Sequence, residues 1–228
     1  MAAWNTAALR SYLRESKGGS ESFELIWSIE HASRLFEFYK CEALRALELG
    51  WQPADESANI ENVIRVFEYG DEDQEAALQV EAHVMGCVNT VRSAFDFLAT
   101  LINCHVLPVP VVKKRLYVDD VWRRVPPGLV RDALTTVSSS EAYAYIVAYS
   151  NTSKHRRIVK FGRWVDFQNN RAGLGPTEFG ACEAPRHSHR TAREVLGYCV
   201  ELWNGVVSTG IAINQHLCIH SETNVTRS

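Results

Sequence analysis

The sequence predicts a mainly α-helical protein, all-α in class, built as an antiparallel four-helix-type bundle with a small β-hairpin insertion near residues 158–167. Three observations carry that expectation. Apolar residues recur at alternating three- and four-residue spacing over two long stretches, which lines one face of a helix. Serine or threonine followed three residues later by glutamate, the capping-box spacing, opens two further stretches. Alternation at a period of two is confined to one short segment around Gly162 and Arg163. No period of 20–50 residues repeats, so a solenoid is excluded.

The first long helix rests on Leu25, Ile29, Ala32, Phe36, Tyr39, Ala43 and Ala46, with Gly18, Gly19 and Ser20 before it and Gly50 as its stop. The second rests on Val80, Val84, Cys87, Val91, Phe95, Leu98 and Ile102, and ends where Pro108 and Pro110 forbid continuation. These two read as antiparallel partners of some 25 residues. Between them, Ile60, Val63, Ile64 and Phe67 suit a short helix, although their β-branched content also suits a strand. Residues 108–127 read as a long connection with one helical turn near Asp119, carrying Lys113, Lys114, Arg115, Arg123 and Arg124. Its length makes it a candidate for function. Ser138 and Glu141 form the first capping box, opening a helix through Tyr145 and Tyr149 that stops near Asn151. Gly162 and Arg163 then read as a two-residue hairpin turn, and residues 168–188 as a glycine- and proline-rich loop. Thr191 and Glu194 form the second capping box, opening a last helix with Val195, Cys199, Leu202, Val206 and Ile213 on its buried stripe.

With 228 residues, 46% hydrophobic and 22% charged, the chain is long enough for one core and too apolar for disorder. A single domain over 1–228 is expected, with 1–19 and 221–228 peripheral. The net charge of −3 conceals a split: residues 15–82 hold sixteen acids against five bases, and residues 83–228 eleven acids against seventeen bases. Either an acidic element covers a basic one, or the basic surface is free to meet an anion.

No secretory signal is legible at the N-terminus, and the six cysteines contain no C-x-x-C pair, so reduced thiols in a cytoplasmic protein are expected. The apolar stretch 195–217 carries Glu201, Asn204, Asn214 and Gln215, too polar for a bilayer span, so no membrane partner is expected. Walker, Rossmann and G-x-S-x-G patterns are absent. His216 and His220 with Cys218, and Cys182 with His187 and His189, sketch two half-sites for zinc. Cys218 does not share a helical face with the two histidines, and neither a metal nor a cofactor is expected.

Two polar clusters remain. Asn89, Arg92, Asp96, Thr100 and Asn103 form a row beside the apolar stripe of the second long helix. Residues 150–157 end another helix, and Lys154, His155, Arg156, Arg157, Lys160 and Arg163 follow closely with no acid among them. An aspartate facing a histidine from another helix would fix the imidazole tautomer and raise its basicity, while neighbouring Lys and Arg hold a phosphate. Asp96 and His155 are therefore the catalytic candidates, and Arg92, Asn151, Lys154, Arg156 and Arg157 the ligand-binding ones. The structural counter-reading is that a helix C-terminus attracts Lys, Arg and His through its dipole, and that Asp96 anchors a loop.

The phrases Arg92, Ser93, Ala94, Phe95, Asp96 and Asn151, Thr152, Ser153, Lys154, His155, Arg156, followed by a small hairpin, resemble a group of uncharacterised bacterial helical proteins associated loosely with the HEPN superfamily. The resemblance implies an all-α bundle, often a homodimer, tied to RNA, nucleotides, toxin–antitoxin pairs or antiphage defence. Ribonucleases of that superfamily carry Arg, four to six residues, then His. None of the eight histidines here has an arginine at that distance upstream, so no catalytic pair carries over, and any enzyme activity would be a metal-independent, ribonuclease-like one without that pair. The alternative is a non-enzymatic dimerisation or protein-interaction module using an aromatic face such as Trp27, Phe38 and Trp203.

Overall fold

The two long helices form, and both run further than their apolar stripes require. The structure, a computed structural model, describes residues 4–15, 19–50, 57–68, 70–112, 116, 118–180 and 186–225. Among them lie eight helices and two strands: α1 (Thr6–Glu15), α2 (Gly19–Gly50), α3 (Ile60–Phe67), α4 (Asp71–His105), α5 (Val118–Trp122), α6 (Leu129–Ser138), α7 (Glu141–His155), β1 (Phe161–Asp166), β2 (Arg171–Pro176) and α8 (Ala192–Val225). The strands make one two-stranded antiparallel sheet. The chain divides into two compact units, each gathered from separate stretches: Met1–Arg34, Thr90–Tyr143 and Glu201–Ser228 in the first, Leu35–Asn89 and Ala144–Val200 in the second.

In the first unit the core is Ile26, Val91, Phe95, Leu98, Ile102, Leu202, Val206 and Ile213, all nearly or fully excluded from solvent. The N-terminal helix is part of it, contrary to its expected peripheral place. Leu9 and Leu13 are fully buried, Trp4 donates from Nε1 to Asn214 (3.0 Å), and Arg10 pairs with Glu30 at 2.9 Å. Four-residue spacing of those two leucines is a helical signal, but too short to stand out. Asn103 anchors the loop after α4 by accepting from Val111 N–H (2.7 Å) and donating to its carbonyl (3.3 Å). Helix α6 falls just after the stretch read as a long connection. Gly128 before it has φ of +143°, open to glycine and strained for any other residue, and Val130, Leu134 and Val137 form its buried stripe. Helix α7 is capped by Ser140 rather than Ser138: the Ser140 hydroxyl accepts from Tyr143 N–H (3.1 Å), while Ser138 donates back to Thr135 O. A hydroxyl caps only from outside the helix, and Ser138 is still inside α6.

In the second unit the core is Phe36, Leu47, Val80, Val84, Cys87, Ile146, Tyr149, Val195 and Cys199. Here α2 and α4 run antiparallel, since Cys87 Sγ approaches Phe36 O while the earlier His83 meets the later Phe38 ring. Gly86 makes the close approach possible, because a side chain there would strike the Tyr39 ring. Burial pushes the Cys87 thiol up to about 12, the position of an inert packed thiol. Helix α3 is a helix and not a strand, capped by Asn59 accepting from Asn62 N–H (2.9 Å).

The hairpin is real but displaced from its expected position. Gly162 and Arg163 lie inside β1, and the reversal occurs at residues 167–170. Asp166 fixes it by accepting from the N–H groups of Gln168 (3.0 Å) and Asn169 (3.2 Å), and Asn170 takes the left-handed φ of +51° that asparagine tolerates. Part of the expected 168–188 loop is therefore strand. Arg163 docks the hairpin: its guanidinium donates to Asp73 (2.7 Å) and to Arg65 O (2.8 Å), and it is the buried member of that ion pair.

The second capping box forms as read: Glu194 N–H donates to Thr191 Oγ1 (3.2 Å), and Thr191 N–H to Glu194 Oε2 (2.8 Å). Helix α8 continues to Val225, beyond the expected fraying at residue 220. Its Ala192–Leu217 part is long and apolar enough to cross a membrane by length and composition, yet half of that window is buried within the structure.

This packing sets the cost of disturbing it. Phe95 is fully buried, edge-on to Trp122 and Tyr143, so Phe95→Ala is expected to cost about 3–5 kcal/mol in denaturant unfolding through forfeited burial and a residual cavity. A second prediction concerns His105, whose Nε2 lies 2.6 Å from Ser22 Oγ and whose burial lowers its pKa from the ordinary 6.5. The unfolded chain then takes up a proton that the folded one resists, so stability is intact above pH 6.5 and falls away as pH drops from there through the folded value. Between pH 7.5 and 5.5 the melting temperature of His105→Gln should fall less than that of the parent; equal falls would remove His105 as the cause.

Candidate anion-binding site

Helix α7 ends by folding its last amides onto one carbonyl. Arg156 N–H and Arg157 N–H both donate to Thr152 O (3.1 and 3.0 Å), a closure that turns the two arginine side chains outward. Both are exposed, and among the described residues neither takes part in an ion pair. They line a pocket of about 450 Å³ together with Thr152, Glu178, Phe179, Gly180 and Arg186.

The far wall comes from the chain after β2. Phe179 and His187 form an isolated antiparallel bridge, Phe179 N–H donating to His187 O (3.1 Å) and His187 N–H to Phe179 O (2.7 Å), which returns the chain and places Glu178 and Arg186 on the same pocket. Phe179 is rigidly backed: its ring is stacked on His187 and edge-on to Tyr145 and Tyr149. Arg186 pairs with Glu178 at 3.5 Å, both side chains largely exposed, which offsets one of the three positive charges. Among the described residues two guanidinium groups without an ion pair remain, beside a buried threonine. Such a site can accept a phosphate or carboxylate by forked N–H donation. Its described lining has no imidazole and no thiol, and its one carboxylate is already held by Arg186, so it is equipped for binding more than for proton transfer.

The neighbouring arginines are of another kind. Arg163 is buried against Asp73, whose carboxyl is held below the usual carboxylate range by the Arg163 hydrogen bond first and the Gly70 N–H second. Arg171 pairs with Glu194 (2.6 Å) and lies over the Trp164 ring, and Arg190 donates to the Tyr198 hydroxyl (3.2 Å). Arg163 thus ties the hairpin to α3 and α4, Arg171 ties it to α8, and Arg190 ties the chain before α8 to that helix.

Of the residues singled out in the sequence, the structure brings Arg156 and Arg157 to one pocket. Asn151, Lys154 and His155 lie on the same stretch and do not line it. Arg92 and Asp96 belong to the first unit, and Lys154 and His155 to the second. Arg92 places its guanidinium over the Tyr143 ring, 5.9 Å from its centre. Glu178, Phe179, Gly180 and Arg186 escaped the sequence reading, because a two-residue bridge inside a stretch rich in glycine and proline leaves no periodic trace. Among the described residues no group of three metal-ligating side chains converges. Of the zinc half-sites, Cys182 and the side chains of Cys218 and His220 lie outside the described residues, while His187 stacks on Phe179 and His189 packs on Trp164. Four free thiols are described, Cys41, Cys87, Cys104 and Cys199. Comparison with protein-family models, curated proteins and solved structures finds no match for this chain.

Proposed function

We propose that this protein binds the phosphate groups of a nucleic acid or nucleotide through the pocket formed by Arg156, Arg157 and Arg186. The observation that carries the reading is the sorting of the arginines. Arg163, Arg171 and Arg190 each have a partner in the fold, whereas Arg156 and Arg157 are exposed, without an ion pair among the described residues, and line one concavity. An arginine that only complements a helix C-terminus needs no pocket. The HEPN-like resemblance supports the same partner class, a cytoplasmic setting in phage defence or a toxin–antitoxin system, an antiparallel four-helix-type bundle and a homodimer. Catalysis forms no part of the proposal.

A second reading, a protein-interaction module, draws on a specific feature. Ile60, Ile64 and Phe67 share one face of α3 and are 80%, 45% and 74% exposed, while the polar Asn62 is buried. Trp27 and Phe38, from the aromatic set proposed for such a face, are also more than half exposed.

Fluorescence anisotropy with a short single-stranded RNA and with a nucleoside triphosphate, each at two salt concentrations, separates the readings. The double variant Arg156→Ala with Arg157→Ala should keep its melting temperature, since both side chains are on the surface. It should weaken binding and flatten the salt slope by about one unit for each phosphate that is no longer neutralised. Absence of binding by the parent, or an unchanged slope in the variant, would favour the interaction module.

A further inference from the structure

The first unit holds a second pocket, of about 340 Å³, that plays no part in the proposed phosphate site. Its floor is the tilted pair of Trp122 and Tyr143, with ring centres 5.1 Å apart, and its walls carry Asp119, Arg123 and Arg131 with the hydroxyls of Thr135 and Ser138. Charges of both signs thus face one concavity of the size of a small metabolite. Among the described residues none of the three is in a salt bridge. Among the described residues the Asp119 carboxylate is held by one long contact, 3.5 Å, from the Tyr143 hydroxyl, and Arg131 is steadied by donating from Nη1 to Val125 O (3.1 Å), which leaves its other nitrogens for a ligand.

Opposite charges that share a pocket without meeting have their simplest partner in a ligand that carries both signs. Two arginines call for anionic oxygens, by charge-assisted donation. Asp119 calls for a cationic or N–H donor. Arg92 adds a further positive charge nearby, its guanidinium over the Tyr143 ring. The balance is net positive, so the ligand should be net negative. Polar side chains on nearly every wall leave little surface for a large apolar group.

We infer that this pocket binds a small zwitterion with two anionic groups and one ammonium, the chemistry of a dicarboxylic amino acid, with Arg123 and Arg131 on the carboxylates and Asp119 on the ammonium. Both α5, which carries Asp119, and the turn that carries Arg123 belong to the stretch singled out in the sequence for its length.

Titration calorimetry and thermal shift with L-glutamate, L-aspartate, glutarate and inorganic phosphate test this on the full chain. At least one of the two amino acids should bind and raise the melting temperature, and glutarate, which lacks the ammonium, should bind on the order of tenfold more weakly. Asp119→Asn should close that gap by weakening the amino acid alone. Arg131→Gln should weaken both ligands; because Arg131 also ties down Val125, Arg123→Gln, at an exposed residue with no such bond, repeats the test without that risk. Failure of both amino acids to bind at millimolar concentration, glutarate or phosphate binding as tightly as they do, or an Asp119→Asn variant that keeps the preference would overturn the assignment. None of these outcomes bears on Arg156 and Arg157, so this pocket and the phosphate site stand or fall separately.

Discussion

The second unit depends on a place where two backbones touch. Gly175, in β2, lies so close to Arg190 O, Thr191 C and Ala192 N that a side-chain carbon has no room, and a side-chain carbon at Gly173 would strike the Thr191 methyl and crowd the Trp164 ring. Only glycine permits that approach. It sets β2 against the residue that caps α8, and the cap is doubly committed: Glu194 closes the capping box with Thr191 and also holds Arg171 at the first position of β2. Hairpin and helix start are thereby one assembly. The chain between them has to make its return within fifteen residues, and the Phe179 to His187 bridge that accomplishes it supplies one wall of the candidate anion pocket. The site is a by-product of how tightly two glycines let a strand lie on a helix start.

A run of basic residues at a helix end has two explanations that charge counting does not separate, and the geometry of individual side chains does. A guanidinium that is buried must find acceptors, because an unpaired buried charge costs several kcal/mol by any account. Arg163 finds Asp73 and a backbone carbonyl, and in doing so takes up one acid of the N-terminal acidic stretch. The charge asymmetry of the sequence is thus satisfied in part internally. Arg156 and Arg157 carry no such obligation, since water solvates them where they stand. Their convergence on a concavity is therefore a feature that stability does not demand.

The long helices were legible because their stripes extend over many turns: a three-and-four spacing kept from Leu25 to Ala46 has few rival readings, and the same holds from Val80 to Ile102. The Thr191 and Glu194 box was legible because both partners are local. What was hidden depends on residues far apart in sequence. Gly173 and Gly175 look like loop residues until the α8 start that they touch is known. Gly162 and Arg163 look like a turn, and Asp166, whose carboxylate makes the turn instead, carries no sign of it beyond the residue types that follow. Helix α6 was concealed by Pro126, Pro127 and Gly128, which read as the end of a loop and are equally the entrance to a helix. Of the candidate anion pocket, the two arginines of one continuous stretch could be named; the opposing wall could not.

That opposing wall also decides how much binding energy the arginines can deliver. Flexible side chains lose rotamer freedom when they grip a ligand, and the loss is smaller where the surroundings are already fixed. Phe179 is nearly solvent-free, and its ring is held by Tyr145, Tyr149 and His187, while Tyr145 also meets Tyr198, which accepts from Arg190. The aromatic cluster makes the Glu178 to Gly180 wall rigid, and on the other side Thr152 is buried and receives two backbone bonds at its carbonyl. A mobile charged group on a fixed frame suits a ligand of fixed charge and variable shape: under the proposed reading the frame would set where a phosphate sits, while the guanidinium groups would adjust to what is attached to it.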